Sequence, residues 1–452
     1  MGASANLIVY LRKFLIVNIF TAGLVFSLSG CGLYKNLQET IDILTEGSGE
    51  EEINHVEIVN DDLNVPTALP EVIIEPEVSE EIITIDEESD NKEDNDERDT
   101  EQVMDTLSDI SLEETLKAER YYAYHCLGDE EKKLYKLIYT SLMNFEEKTP
   151  MGTTDMEMID NVFACVLADN PELFYVRGYN LIRFERGGVI EKLSLTGLFT
   201  MTKTDAIAHK ERADAYVDRC LAGAPSGTDD YEKIKYLYEY IILNTEYDLK
   251  AENGQNFLSV FENGRSVCQG YATAMQYMMH KMGLFCTVVR GVTNNNENHA
   301  WNLVKSDGDY YFVDVTWGDI TYNLSADEGV PENVDLPKVS YEYLCVTTED
   351  IRATHRIDNY FDVPECVSRK DYYYVREGNY FESVSDQQLR EVFDKAYAEG
   401  RNNVFIKCAN KEIYDQMMNY LTVDGKIFNY LQGNINANYI TLDNLNEMIF
   451  YL

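Results

Sequence analysis

Positive charge is scarce in this chain: 38 Lys and Arg stand against 80 Asp and Glu in 452 residues, a formal net charge of −42. Such a chain repels phosphate backbones and anionic lipid, which argues against nucleic acid or a bare membrane surface as partner. Paired metal-binding cysteines are missing. None of the nine cysteines stands in a C-x-x-C pair, which argues against structural zinc, and their spacing announces no disulfide framework. No uninterrupted apolar run reaches the about 20 residues that cross a bilayer as a helix, and no internal repeat is visible. Tryptophan is limited to two residues, yet 45% of the chain is hydrophobic, enough for packed cores in two or three domains.

The N-terminus has the anatomy of an export signal. Arg12 and Lys13 precede an apolar run from Phe14 to Phe26, and Leu28-Ser29-Gly30-Cys31 follows. That tetrapeptide resembles the lipobox of bacterial lipoproteins. The resemblance implies a signal peptide over 1–30, lipidation of Cys31, and a lipid anchor on the extracytoplasmic face of the bacterial cell membrane. Half of the net charge sits just beyond it: Glu46 to Glu101 hold 22 acidic residues against Lys92 and Arg98. A stretch so charged and so poor in aromatics does not bury enough apolar surface to offset its ordering entropy, so 31–110 reads as a disordered acidic linker.

Folded sequence is expected from Ser111. Leu112–Ala123, Glu130–Phe145, Asp160–Ala168 and Thr204–Leu221 have helical apolar spacing, while Leu173–Val176, Leu181–Phe184 and Leu193–Thr200 read as strands. These make an N-terminal α/β module over 111–225, closed by Pro225-Ser226-Gly227-Thr228. The motif-bearing domain is expected over 226–366. A small C-terminal α/β module follows over 367–452, with Tyr372–Val375, Val404–Lys407 and Tyr439–Leu442 as strands and Ser385–Ala398 and Lys411–Leu421 as helices.

Chemistry concentrates in the middle domain. Val267–Met282 reads as a helix with Cys268 at its start, where unpaired N–H groups and the dipole favour a thiolate and offer donors to an oxyanion. Gly270 leaves room for a close backbone approach. His299-Ala300-Trp301-Asn302 lies 31 residues beyond Cys268. Asp307-Gly308 between two apolar-rich runs signals a two-residue hairpin loop. That loop pairs Ser306 with Asp309, sets Trp301 opposite Asp314, and leaves His299 and Asp314 as diagonal neighbours on one sheet face. The result is an imidazole oriented by a carboxylate with its second nitrogen free for a thiol. His280, on the cysteine helix, and His355, in a loop near Asp358, read as structural or solvent-facing.

Taken together, Val267-Cys268-Gln269-Gly270-Tyr271-Ala272, His299-Ala300-Trp301-Asn302 and Val313-Asp314-Val315-Thr316-Trp317 resemble the core of the bacterial transglutaminase-like superfamily. The resemblance covers about Tyr231 to Asp319. It implies an α+β, papain-like core in which a helix carrying Cys268 packs on an antiparallel sheet carrying His299 and Asp314. By the same resemblance Cys268 is the nucleophile, His299 the general base and acid, and Asp314 the orienting carboxylate. A thioester would form on a protein or peptide amide and pass to an amine or water. Tyr247 and Trp301 are weak candidates for oxyanion or substrate contacts. The family often has an acidic residue directly after the tryptophan; Gly318 stands there and Asp319 follows. No residues identify calcium ligands, so neither metal nor cofactor is expected. The alternatives are a cysteine peptidase or deamidase of the same fold, or a non-catalytic module that binds protein or peptide.

Overall fold

The computed structural model describes residues 52–57, 76–84, 110–319, 337–433 and 436–452. The signal segment and Cys31 lie outside them. No described helix is long and apolar enough to cross a membrane.

The centre is a five-stranded antiparallel sheet in the order Leu344–Val346, Asp309–Val313, Asn298–Ser306, Cys286–Thr293 and His355–Ile357. The Cys268–Lys281 helix packs on it, with Cys268, Ala272, Val288 and Ala300 forming one buried cluster. Asn302 donates from Nδ2 to the Ala272 carbonyl at 2.9 Å, which ties sheet to helix at a fixed height. The Asp230–Asn244 helix covers the other flank of the cysteine helix, burying Ile234, Leu237, Tyr238, Ile241 and Ile242.

The N-terminal part forms a four-stranded sheet in the order Glu77–Thr84, Val176–Arg186, Val189–Phe199, Thr149–Met151. Its hairpin turns at Gly187-Gly188, both at positive φ, where an L side chain is strained. The division expected near Pro225 is not a break in packing. One hydrophobic core runs from Leu116 and Phe163 through Leu237 and Met275 to Phe312 and Tyr373. The C-terminal part has a sheet in the order Glu52–Glu57, Asn436–Leu442, Glu447–Tyr451, Asn403–Cys408, Tyr380–Phe381 and a second core around Leu389, Phe393, Met417 and Phe450.

Four expectations are corrected, the first being Leu173–Val176, where Pro171–Leu173 is a 3₁₀ turn and the strand starts only at Val176. The segment 31–110 is not a linker throughout. Glu52–Glu57 adds in parallel to Asn436–Leu442, and Glu77–Thr84 adds in parallel to Val176–Arg186. The second strand buries none of its residues and leaves Val78, Ile82 and Ile83 exposed; ladder bonds and the Glu77–Arg177 and Glu80–Arg183 pairs hold it. Tyr372–Val375 is not a strand: Tyr373–Glu377 is a short helix ending at Gly378 with φ 86°. Aromatic content suggested a strand, but tertiary contacts decide, with Tyr373 stacked on Tyr341 at 3.7 Å and Tyr374 donating to buried Glu447. Leu112–Ala123 is two helices, Ile110–Leu116 and Tyr122–Cys126, not one.

Candidate active site

The hairpin has the register the Asp-Gly loop predicts. Asp309 pairs with Ser306 and Val313 with Asn302. Asp307 and Gly308 take φ 48° and 96°, the double positive φ of a type I′ turn. The strand ends at Val313, and the chain turns through Val315–Gly318 with Asp314 at the bend. The Asp314 N–H donates to the Tyr343 carbonyl at 3.0 Å, and the Trp317 N–H donates to Asp314 Oδ1 at 3.0 Å. The carboxylate is therefore fixed from its backbone outward.

His299 Nε2 meets Asp314 Oδ2 at 2.7 Å, with both side chains buried. That leaves Nδ1 free of Asp314, and Cys268 is near enough to help hold the imidazole charged. Burial alone would lower the His299 pKa. The Asp314 charge and hydrogen bond, helped by Cys268, push it up to about 10. Asp314 shows the reverse: burial would raise it, but His299, then His355, hold it well below the carboxylate range.

Cys268 opens its helix as expected. Other long helices begin with capping side chains, such as Asp155, Thr202 and Asp229. Val267 supplies none here, so no side chain competes for the N–H groups of the first turn. Gly270 is required by contact: a Cβ there would lie 2.0 Å from Ser266 Oγ and 2.6 Å from the Gly254 carbonyl oxygen. Gly318 is likewise forced, since a Cβ would lie 1.9 Å from Tyr238 Oη. The following Asp319 is buried and accepts from the Tyr271 hydroxyl at 3.0 Å.

Trp301 is brought to the site. It is fully buried, its ring stacks on His299 at 5.9 Å, and its Nε1 has no hydrogen-bond partner. Tyr247 lies beside the cysteine helix, its ring 6.3 Å from that of Tyr271. His280 is structural: its Nε2 donates to the Cys286 carbonyl at 2.8 Å, and burial pushes its pKa down to about 4.

The residue that sequence reasoning missed is His355. It is no solvent-facing loop histidine. It starts an edge strand, is fully buried, and its Nε2 lies 3.2 Å from the same Asp314 Oδ2. The only hint in the sequence was Thr354-His355-Arg356-Ile357, too short a strand signal to read. Among the described residues, His299, Asp314 and His355 are one set whose metal-ligating atoms all lie within 4.8 Å of one another. Both Nε2 atoms are already engaged with Asp314, the pattern of a hydrogen-bond hub rather than an ion cage. The remaining cysteines have no such setting. Burial raises Cys165, Cys286, Cys345, Cys366 and Cys408 above the ordinary thiol range, and all the described cysteines are unpaired.

With this geometry in hand, residues 216–315 match the model of the transglutaminase-like superfamily. The chain carries a transglutaminase-like domain. The matched residues include Cys268, His299 and Asp314. The domain is also similar to kyphoscoliosis peptidase of mouse, 28% identical over 105 residues, which are 20% of this chain and 16% of that protein. The human protein of that name is 28% identical over 133 residues, 26% of this chain and 20% of its own. The chain thus spans a fifth or less of the curated relatives it matches. Among solved structures, it is similar to a TGase at 17% identity and TM-score 0.24, covering 35% of this chain and 48% of that one. The periplasmic domain of TgpA from Pseudomonas aeruginosa is 20% identical with TM-score 0.19, covering 28% and 55%.

Proposed function

We propose that the transglutaminase-like domain is a thiol acyl-transfer enzyme acting on protein or peptide amides. The observation that carries this reading is a buried His299 held by Asp314 through Nε2 at 2.7 Å, with Cys268 at its helix start helping to hold the imidazole charged. In the reaction Cys268 gives its proton to His299 and its sulfur attacks the amide carbonyl. The tetrahedral oxyanion is held at the uncapped start of the cysteine helix. His299 returns the proton to the leaving amine or ammonia, and a thioester remains on Cys268. An incoming amine or water, deprotonated by His299, then releases the acyl group. A hydrolytic outcome, peptidase or deamidase, is the second reading, favoured by the peptidase name of the curated relatives. We also propose that the chain is tethered through a lipid on Cys31 to the extracytoplasmic face of a bacterial membrane, so that its substrates are envelope proteins or peptides. The N-terminal signal anatomy supports this.

Ammonia release and incorporation of a labelled primary amine into glutamine-containing peptides test the reading, with Cys268→Ala as control. Cys268-dependent ammonia release with amine incorporation supports transfer, and peptide or amide hydrolysis alone supports the second reading. No thiol-dependent turnover, with no enhanced alkylation of Cys268, would leave a binding module.

A further inference from the structure

Asp314 serves two imidazoles. His299 and His355 both approach Oδ2 through Nε2, at 2.7 and 3.2 Å, while Oδ1 takes the Trp317 N–H. One carboxylate oxygen is therefore shared between two imidazoles. His355 sits in a box of aromatic rings, 4.5 Å from Trp317, 4.9 Å from Trp301 and 5.7 Å from Tyr343 between centroids. The charged and titratable groups facing it are Asp314, His299 and Tyr343.

Its orientation is set from behind. Thr354 Oγ1 lies 2.8 Å from His355 Nδ1, and Tyr343 Oη lies 3.1 Å from the same Thr354 Oγ1. The Ile351 carbonyl also accepts from the ring, and Nε2, which faces a carboxylate oxygen, carries the proton donated to Asp314. Tyr343 closes the loop, since its carbonyl accepts the Asp314 N–H. One short segment, Tyr343 and Thr354-His355, thus grips Asp314 at both backbone and carboxylate.

We infer, on the acyl-transfer reading above, that His355 is a positioning residue: a donor that shares Asp314 Oδ2 with His299, fixes the carboxylate, and moderates its hold on the His299 proton. A purely packing role would leave that hold unchanged. The test uses the full chain with His355→Phe, which fills the aromatic box without a donor, and His355→Gln, whose amide can replace the Nε2–H. Alkylation of Cys268, resolved by peptide mass spectrometry, is followed against pH. With the competing donor gone, Asp314 pairs harder with His299, and the acid midpoint of alkylation moves down by about half a unit or more in His355→Phe. In His355→Gln it stays near wild type. An unchanged midpoint in folded His355→Phe would overturn the role.

Should His355→Phe fail to fold, the imidazole nitrogen resonances of the wild type decide: a His355 ring that carries a proton on Nε2 supports the inference, and one whose Nε2 is unprotonated overturns it. If that spectrum is as expected but wild-type Cys268 reacts no faster than an ordinary thiol, the acyl-transfer reading fails, and the positioning role falls with it.

Discussion

Replacing Asp314 by Asn keeps the shape of the side chain and removes its charge. In the wild type His299 is lifted from an ordinary value of 6.5 to about 10, against the downward pull of burial. At 1.36 kcal/mol per unit, that lift favours the protonated ring by about 5 kcal/mol. Asp314 is the largest favourable contributor. Without its charge, burial dominates, and the His299 pKa falls below 6.5. The ring is then neutral at pH 6.5 to 7 and no longer stabilises a negative sulfur. An unassisted thiol titrates near 8.5, so about 1% is thiolate at pH 6.5. Allowing for the weaker nucleophilicity of an assisted thiolate, alkylation of Cys268 at that pH should slow by about 10- to 100-fold in Asp314→Asn. Peptide-resolved iodoacetamide kinetics between pH 5 and 9 measure this against the other cysteines. An Asp314→Asn profile that superimposes on wild type would refute the coupling of carboxylate, imidazole and thiol.

Other predictions follow from the same contacts. Asn302→Ala removes the 2.9 Å tie to Ala272; it should cost about 1–3 kcal/mol in urea unfolding and slow Cys268 alkylation by loosening hairpin from helix. Gly270→Ala drives a methyl into Ser266 and the Gly254 carbonyl, and should lower the melting midpoint by the equivalent of about 1–3 kcal/mol; an unchanged midpoint would show that the Ser259–Ser266 segment moves freely. Glu377 carries a linkage prediction. Burial would raise its pKa, but Lys235, Lys395 and Arg401 bring it from 4.5 down to about 2. A depressed carboxylate stabilises above its unfolded value and loses that stabilisation as pH falls, here between about 4.5 and 2. The amount is roughly 3 kcal/mol, and Glu377→Gln should flatten unfolding free energy across that window.

The site was more legible in the sequence than its surroundings. A two-residue Asp-Gly loop leaves one register, and register alone sets which residues share a sheet face, so His299 and Asp314 could be paired before any fold was known. A glycine two residues after the cysteine marked a close approach whose partner, the Gly254 carbonyl, could not be named. His355 was not legible because its strand has three residues and pairs with Thr293, 62 positions earlier in the chain. Glu77–Thr84 was missed for another reason: the acidic sequence around it is that of a linker, and its partner strand, Val176–Arg186, lies far along the chain. Tyr372–Val375 was misread because three adjacent tyrosines suit a strand locally, while their partners Tyr341 and Glu447 are distant in sequence.

The most direct test of the central claim is intact-protein and peptide mass spectrometry of the chain mixed with glutamine-containing peptides and quenched in acid. Thiol acyl transfer predicts a peptide adduct on Cys268, formed with loss of ammonia, discharged by added amine, and absent in Cys268→Ala. Ammonia release that persists undiminished in Cys268→Ala would contradict it.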